Sequence, residues 1–281
     1  MKRLSGSHAG QQLLMTGLGI VGVLGAVGLF APWLAPYDPH AIAGPALVRP
    51  SLQHLLGTND VGQDVLSQLM YGARRSLTVA FAAAALGTVI GVSLGAWAAL
   101  KGGVTDLLLM RTVDVALAMP TLPLLILVAA LARPSGVVVI LSIALFSWPS
   151  IARIIRSQVM SVRERGYIMA AQGFGGGTLY LVRRHLVPAT GPVIAAQFVD
   201  LAATAIMLGA GLGFLGLADA NTPSWGSMLN RADAYPGIYD SLAWTWWILP
   251  SGLSITLAIL GFAFLGLGLE PASNPRWNRF R

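Results

Sequence analysis

Six long apolar runs alternate with shorter polar segments along the chain. A helix needs about 20 mostly apolar residues to cross a bilayer, and the runs reach or approach that length. They are Leu13–Trp33, Leu77–Leu100, Val115–Ala132, Val137–Ala152, Ala189–Leu217 and Ser241–Leu269. The pattern predicts an all-α membrane protein with about six transmembrane helices. An even number of spans places both termini on the same side.

The first run could belong either to a signal peptide or to an uncleaved membrane helix. Its uncharged stretch from Leu13 to Trp33 is longer than the ~7–15 apolar residues of a signal peptide. We therefore expect a first transmembrane helix in residues 1–35, preceded by a short cytoplasmic tail.

Composition supports a membrane protein and limits its chemistry. The chain is 55% hydrophobic and only 10% charged, against about a quarter charged in an ordinary soluble domain. It has no cysteine and four scattered histidines, which excludes thiolate sites and a helical two-histidine metal site. We expect no metal and no cofactor bound by this chain.

The net charge of +7 has a topological explanation, because cytoplasmic loops of membrane proteins carry an excess of Lys and Arg. With the N-terminus inside, five basic residues fall outside: Arg49, Arg74, Arg75, Arg133 and Arg231. Thirteen fall inside: Lys2, Arg3, Lys101, Arg111, Arg153, Arg156, Arg163, Arg165, Arg183, Arg184, Arg276, Arg279 and Arg281. The charge thus indicates both termini in the cytoplasm and membrane lipid as the surroundings. No nucleic acid partner is expected.

This orientation divides the chain into four regions. Residues 36–76 form an extracytoplasmic segment, and residues 77–269 form a core of five further spans. The core includes an inner loop, 153–188, and an outer loop, 218–240. Residues 270–281 form a cytoplasmic tail.

The outer segment from Leu56 to Leu77 has apolar residues at helical spacing, which predicts an amphipathic helix lying on the surface. Thr58 or Asn59 would cap its start. Asp60 and Asp64 would lie one turn apart on another face. Such a pair is more often solvated than used for acid–base chemistry or calcium. The helix would dock a partner or shield a pore mouth.

The outer loop 218–240 is rich in aromatic residues. Trp225, Tyr235 and Tyr239, with Trp244, Trp246 and Trp247 beyond them, are typical of an interfacial aromatic belt. Some could instead stack on a passing solute. Asp60, Asp64 and Trp225 are the candidate contacts to an outer partner.

Prolines and glycines interrupt the spans, as in LGAGLGFLGL from Leu208 to Leu217. They permit either close helix packing or a bundle that bends around a pathway. Charges inside the membrane usually mark function. Asp200 is the deep example, and we expect it to face the interior of the bundle. The candidate pathway residues are Asp200, Met207, Gly209 and Asp114.

The sequence has no phosphate-binding loop of the G-x-x-x-x-G-K-[ST] type and no catalytic motif. We expect no enzymatic activity, so any active transport must be driven by another protein. A passive channel or secondary transporter is an alternative, as is a membrane scaffold without transport.

The inner loop contains AAQGFGGGTLYLVRRHLVP, from Ala170 to Pro188. Tyr167–Gln172 is predicted to be helical, and Gly175–Gly177 end it, since glycine adopts left-handed backbone angles without steric cost. Thr178 could cap a second short helix from Leu179 to His185. The small residues would let another protein approach closely. The alternative is a packing or re-entrant loop.

This segment resembles the coupling-loop motif of ABC importer permeases, in which E-A-A-x-x-x-G is followed by an apolar residue or histidine and then proline. Ala170, Ala171, Gly175, His185 and Pro188 match in order and spacing.

Other segments resemble the dipeptide/oligopeptide/nickel permeases, and together they cover nearly the whole chain after the first helix. LGTNDVGQDVLSQLMYGARRSL is similar to L-G-T-D-x-x-G-R-D-x-x-S-R-x-x-x-G-A-R-x-S-L, and GGVTDLLLMRTVDVALAMPTL to G-G-x-x-D-x-x-x-M-R-x-x-D-x-x-x-x-x-P. WPSIARIIRSQVMSVRERGY, NTPSWGSML and LGFAFLGLGLEPASNPR also match. The order of motifs resembles the second, C-type, permease subunit.

The resemblance implies a type I ABC importer permease fold in a bacterial cytoplasmic membrane. It implies a second homologous permease, two cytoplasmic ATPases that hold ATP-Mg, and an extracytoplasmic binding protein that delivers short peptides or nickel-type chelates. The implied ATPase-coupling residues are Met169, Ala170, Ala171, Gly175, Gly176, Arg183, Arg184, His185 and Pro188.

The chain departs from the motifs at several positions. Met169 replaces the glutamate of the coupling motif. Asn59, Gln63 and Gln68 replace charged residues of the outer motif. Gly209 stands where many peptide permeases carry a glutamate, which favours a metal chelate over a peptide's amino terminus.

Overall fold

The apolar runs form helices in the computed structural model, which describes residues 5–132, 135–175, 177–219 and 221–273. The membrane-length helices are the most prominent elements. Within the described ranges the helices are α1 (Ser5–Leu29), α2 (Ala31–Leu34), α3 (Val65–Lys101), α4 (Gly103–Ala118), α5 (Thr121–Leu131), α6 (Gly136–Arg163), α7 (Gly166–Gly173), α8 (Thr178–Leu181), a π-helical turn (Val182–Leu186), α9 (Val187–Phe214), α10 (Trp225–Asp233) and α11 (Trp244–Ser273).

Five helical segments of the described chain are long and apolar enough to cross a membrane by themselves. The pair α4 and α5 gives a sixth candidate, broken by a bend of 82°. The bend falls at Met119 and Pro120, where the proline ring disfavours helical angles at the preceding residue. The prediction of an all-α protein with about six spans is confirmed.

The spans differ from the predicted runs mainly in length. α3 begins at Val65 and not at Leu77, and α6 continues to Arg163. Both extensions carry polar residues that a hydropathy pattern assigns to loops. The structure therefore joins the outer motif and the basic inner segment directly to membrane helices.

Helix ends that were assigned to the same side of the membrane meet in the structure. At the outer end, Arg75 lies 3.7 Å from Asp219. At the inner end, the Arg163 guanidinium donates to the backbone oxygens of Ala99 and Leu100. Several basic residues of the orientation argument lie outside the described residues: Lys2, Arg3, Arg133, Arg276, Arg279 and Arg281.

Small residues let the central helices approach closely. A Cβ at Gly91 would lie 2.7 Å from Ile151, and one at Gly95 would overlap the backbone of Ala152. These contacts join α3 to α6. α1 packs along α11 in the same way, since Gly268 lies against Leu14. Close backbone approach is a common basis of helix association in membranes.

The predicted surface-lying helix in Leu56–Leu77 is wrong. Residues 35–64 form an irregular segment, and the helix that follows it enters the bundle as α3. Asp64, and not Thr58 or Asn59, caps that helix, because its side chain accepts from the Ser67 backbone N–H at 2.8 Å. Thr58 instead fixes the outer segment by donating to Pro45 O at 2.7 Å.

The predicted aromatic belt is wrong for three of its tryptophans. Trp225, Trp246 and Trp247 are buried inside the chain. Trp246 and Trp247 belong to a small outer core with Val65 and Met228. The Trp225 indole donates to Leu69 O at 3.2 Å, so a partner satisfies its polar group. These rings hold the outer loop onto the bundle.

Candidate coupling loop and translocation surface

The inner loop forms a short helical hairpin at the cytoplasmic end predicted by charge. α6 ends at Arg163, and α7 begins three residues later at Gly166. The Arg165 backbone N–H donates to Val162 O in α6 at 3.1 Å, and the Arg165 backbone oxygen accepts from the N–H groups of Ile168 and Met169 in α7. α7 is therefore hydrogen-bonded through Arg165 to the end of α6, and a short turn connects the two helices.

Gly175 forms the turn of this hairpin. Its φ is +84°, and a Cβ there would meet nothing within 4 Å. The left-handed angle explains the glycine, since it costs other residues about 1–2 kcal/mol. The open surroundings show that no packing within this chain requires it. Gly176 lies outside the described residues, as does the side chain of Thr178.

The tip of the hairpin exposes apolar and small residues. Met169 is 56% exposed, and Ala170 and Gly173 are also exposed. Phe174, at a variable position of the coupling motif, is 93% exposed. The available signal was a large apolar residue beside three glycines in a predicted turn.

The base of the hairpin is packed against the bundle. Ile168 is fully buried, and the His185 ring lies between Tyr167 and Tyr180, with centroids 5.7 and 5.6 Å away. His185 Nε2 is shielded from solvent and has no hydrogen-bond partner among the described residues. His185 thus positions the hairpin in this chain, whereas the tip is free for contact with another molecule.

The remaining predicted coupling residues lie on the second helical arm of the hairpin. The predicted second short helix is continuous with the span: α8, the π-helical turn and α9 succeed one another without a break. Arg183 and Arg184 are exposed on the π-helical turn, and Pro188 is exposed in the first turn of α9. π-helical turns are rare and frequently lie at functional sites.

Ion pairs join α4 to α6 above the hairpin. The Arg156 guanidinium pairs with both carboxylate oxygens of Asp106. Arg153 and Arg111 both pair with Asp114. Asp114, a candidate pathway residue, is therefore part of an inner ion-pair cluster in this chain.

Asp200 lies on an exposed face of α9. The expectation that it faces the interior of the bundle is wrong for this single chain. Thr204, Met207 and Gly211 follow Asp200 at spacings of four, three and four residues, so they share its face. Met207 is 56% exposed. A carboxylate facing lipid here would cost about 2.5–3.5 kcal/mol on insertion scales.

Gly209 is on the opposite side of α9 from Asp200. A Cβ at Gly209 would lie 3.7 Å from Val79 of α3. Gly209 lines a small cavity of about 30 Å³ together with Arg75 and Asp219. The candidate pathway residues thus separate into an exposed pair, Asp200 and Met207, and two residues elsewhere.

The prediction that Asp60, Asp64 and Trp225 contact an outer partner is wrong for two of them, because their side chains are buried. Asp64 is 1% exposed and accepts from His54 Nδ1 at 3.0 Å, and Trp225 is also 1% exposed. Asp60 is partly exposed and pairs with Arg231 at 2.9 Å. In the described part of the chain, no group of three His, Asp or Glu residues is arranged to hold a metal ion.

Two family models match the chain. Residues 66–279 match the binding-protein-dependent transport system inner membrane component. Residues 11–54 match the N-terminal TM domain of oligopeptide transport permease C. Together they cover both the first helix and the bundle that contains the hairpin.

Curated relatives of similar length have permease names. A putative peptide permease protein of Brucella suis is 38% identical over 256 residues, covering 90% of this chain and 83% of that one. The dipeptide transport system permease protein DppC of Alkalihalophilus pseudofirmus is 36% identical over 268 residues, with 94% and 86% covered. The glutathione transport system permease protein GsiD of Escherichia coli is 36% identical over 269 residues, with 95% and 87% covered.

A solved structure shares the fold. A chain of the MetNI methionine ABC transporter in an inward-facing conformation superposes with a TM-score of 0.55 at 19% identity, covering 70% of this chain and 94% of that one. The type I fold that the resemblance implied is thus confirmed. By its helices, its matched domains and its relatives, this chain belongs to the binding-protein-dependent transport system inner membrane components, as a C-type permease of an ABC importer.

Proposed function

We propose that this chain forms half of the pathway through which an ATP-driven importer takes up short peptides. The observation that carries the proposal is the inner hairpin, which presents an exposed tip on a base anchored to two membrane helices. The names of the relatives support peptides as the solute. Nickel-type chelates, which the resemblance left open, have no comparable support among the relatives named above.

The hairpin is the proposed docking element for a cytoplasmic ATPase. Met169, Ala170, Phe174 and Gly175 offer small and apolar surface, and a partner's groove would remove this apolar surface from water, which is favourable. Movement of α7 would be passed to α6 through the Arg165 backbone contacts. ATP-Mg would be held by the ATPases, since this sequence has no phosphate-binding loop.

The exposed face of α9 is the proposed pathway surface. Asp200 and Met207 lie on it, and a second homologous permease would place a facing surface opposite. An aqueous pathway between the two permeases avoids the cost of exposing Asp200 to lipid. Solute would reach this pathway from an extracytoplasmic binding protein at the outer end of the helices. Both termini would lie in the cytoplasm.

Gly175→Glu tests the proposal. The substitution places a bulky charged side chain at a left-handed position on the tip, where this chain itself has free space. We expect normal amounts of membrane-inserted protein but no peptide uptake in cells. Co-purification of the ATPases from the same membranes would separate lost docking from uncoupled hydrolysis.

Gly173→Ala is the matched control, because Gly173 is exposed, ends α7 without a left-handed angle and has no neighbour within 4 Å of a Cβ. Uptake should persist in this variant. Arg183→Gln and Arg184→Gln should also have smaller effects, since exposed ion pairs are typically worth ~0–1 kcal/mol. Full peptide uptake by Gly175→Glu at normal expression would show that the hairpin is not the coupling element.

A further inference from the structure

A polar cavity of about 570 Å³ lies at the outer end of the chain. It is an open cleft lined by residues of the irregular outer segment, the start of α3, the end of α9 and helix α10. Asp60, Gln63, Asn230, Arg231 and Tyr235 contribute to its walls. Its volume falls within the range of about 300–1,000 Å³ typical of small-molecule sites. The coupling hairpin and the exposed face of α9 use none of these residues.

An ion pair on the cavity wall presents both signs of charge. Arg231 Nε lies 2.9 Å from Asp60 Oδ1, and the two side chains are 40% and 25% exposed. The pair is not aligned as a hydrogen bond, so Asp60 Oδ1 accepts no hydrogen bond from any described residue although it is shielded from solvent. A carboxylate in this state would gain from a better-placed donor.

A network of amides holds the arginine beside this carboxylate. Gln63 Oε1 accepts from Asn59 Nδ2 at 2.9 Å, from Gln68 Nε2 at 2.8 Å and from Arg231 Nη1 at 3.1 Å. Gln68 Nε2 also donates to Pro39 O at 3.1 Å. Gln63 thereby orients the guanidinium without adding a charge, and Asp60 is the ionised partner of Arg231.

The same three amides are the positions at which this chain departs from the charged outer motif. The motif has Asp, Arg and Arg where this chain has Asn59, Gln63 and Gln68. The structure brings these separate departures into one hydrogen-bonded network, in which Gln63 and Gln68 line the cavity and the buried Asn59 lies behind them. The motif residues would carry a net charge of +1, whereas the amides carry none. The charge on this wall is therefore balanced, with Asp60 and Arg231 as its two ionised groups.

We propose that this cavity binds a zwitterionic solute of short-peptide size before it enters the pathway. Asp60 would take the ammonium group and Arg231 the carboxylate, and the neutral amides would disfavour solutes with a net charge. The inference rests on the proposed function in placing this end of the chain outside and in choosing peptides as probes. A concave site with convergent polar groups suits a small solute.

The experiment uses the assembled importer in lipid nanodiscs, without binding protein or nucleotide. Binding of alanyl-alanine is measured by saturation-transfer-difference NMR, which detects weak complexes, and titrated to give Kd. We expect Arg231→Gln and Asp60→Asn each to weaken binding about tenfold or more, since a hydrogen bond to a charged group is lost. Arg49→Gln is the matched control, because Arg49 is an exposed arginine of the same outer segment.

Blocked dipeptides assign each terminus to its residue. Arg231→Gln should not weaken binding of alanyl-alanine amide, which lacks the carboxylate, and Asp60→Asn should not weaken binding of N-acetyl-alanyl-alanine. The triple variant Asn59→Asp, Gln63→Arg, Gln68→Arg restores the motif's charges as a set. We expect it to shift preference about tenfold toward the anionic dipeptide aspartyl-alanine, by adding one positive charge to the wall.

The outcomes distinguish the two proposals. Normal ATP-dependent peptide uptake with no alanyl-alanine binding at the wild-type cavity, or equal binding by Arg231→Gln, would overturn this inference and leave the proposed function standing. Absence of peptide uptake by the wild-type importer would refute the proposed function itself. Weaker capture of the binding protein by Arg231→Gln, with alanyl-alanine binding unchanged, would make the cavity a protein-docking surface and refute the solute site.

Discussion

Phe174 should contribute most of the docking energy that any single side chain of the hairpin supplies. Its ring is 93% exposed at the tip, directly before the left-handed Gly175. Burying a phenylalanine side chain is worth about 1.5–3 kcal/mol relative to leaving it in water. Phe174→Ala should therefore weaken ATPase docking by about 10- to 150-fold, because each 1.4 kcal/mol is a factor of ten.

The same exposure predicts no effect on the chain itself. Truncating an exposed ring removes almost no packing, so the thermal unfolding midpoint of the purified permease should be unchanged. Leu52 is the matched control, since it is 98% exposed at the opposite, outer end. Leu52→Ala should alter neither unfolding nor ATPase docking. Phe174→Leu should retain most of the affinity, because it keeps apolar area at the tip.

The assay is titration of purified ATPase subunits onto permease in nanodiscs, followed by fluorescence anisotropy of a labelled ATPase. Peptide uptake in cells provides the functional measurement. An unchanged docking affinity for Phe174→Ala would refute the assignment of the tip. A lower unfolding midpoint would instead show that Phe174 packs within the chain.

Three further predictions address topology, the pathway and the packing of the bundle. Reporter fusions after Lys101 should give a cytoplasmic signal and fusions near Gly44 an extracytoplasmic one; the opposite pattern would invert the orientation. Asp200→Asn should reduce peptide uptake while leaving co-purification of the partner subunits intact, and unchanged uptake would make Asp200 a packing residue. Gly95→Leu should lower the unfolding midpoint and the yield of inserted protein by overpacking α3 against α6, at a cost of about 1–3 kcal/mol or more. Gly22→Leu, with no neighbour within 4 Å of a Cβ, should behave as wild type. Equal stability of the two variants would contradict the close α3–α6 contact.

The number and nature of the spans could be predicted from local pattern because a membrane helix must satisfy its backbone polar groups internally and bury an apolar length set by the bilayer. The turn at Gly175 was equally predictable, since only glycine adopts its left-handed angle cheaply. The break between α4 and α5 had a local signal in Pro120, but its bend of 82° depends on where α5 packs.

The environment of polar and aromatic residues depended on contacts that the chain makes at long range. Asp60 and Asp64 are four residues apart, and spacing alone placed them on one helical face. In the structure Asp64 is buried against His54, whereas Asp60 pairs with Arg231, far along the sequence. Trp225, Trp246 and Trp247, for which the sequence predicts a lipid belt, are buried for the same reason, since the outer loop folds back onto α3.

The sequence by itself determined the membrane spans, their approximate number and the glycine turn of the hairpin, because each depends on residues within a few turns of one another. Tertiary structure alone decided which face of α9 is exposed, that Phe174 is free of the bundle, and that Gln63, held by Asn59 and Gln68, meets Arg231 at the outer cavity. Those properties depend on helix rotation and on which distant segments pack together. An apolar residue is equally suited to contact with lipid and with protein. Hydropathy therefore determines neither the rotation of a membrane helix nor its packing partners.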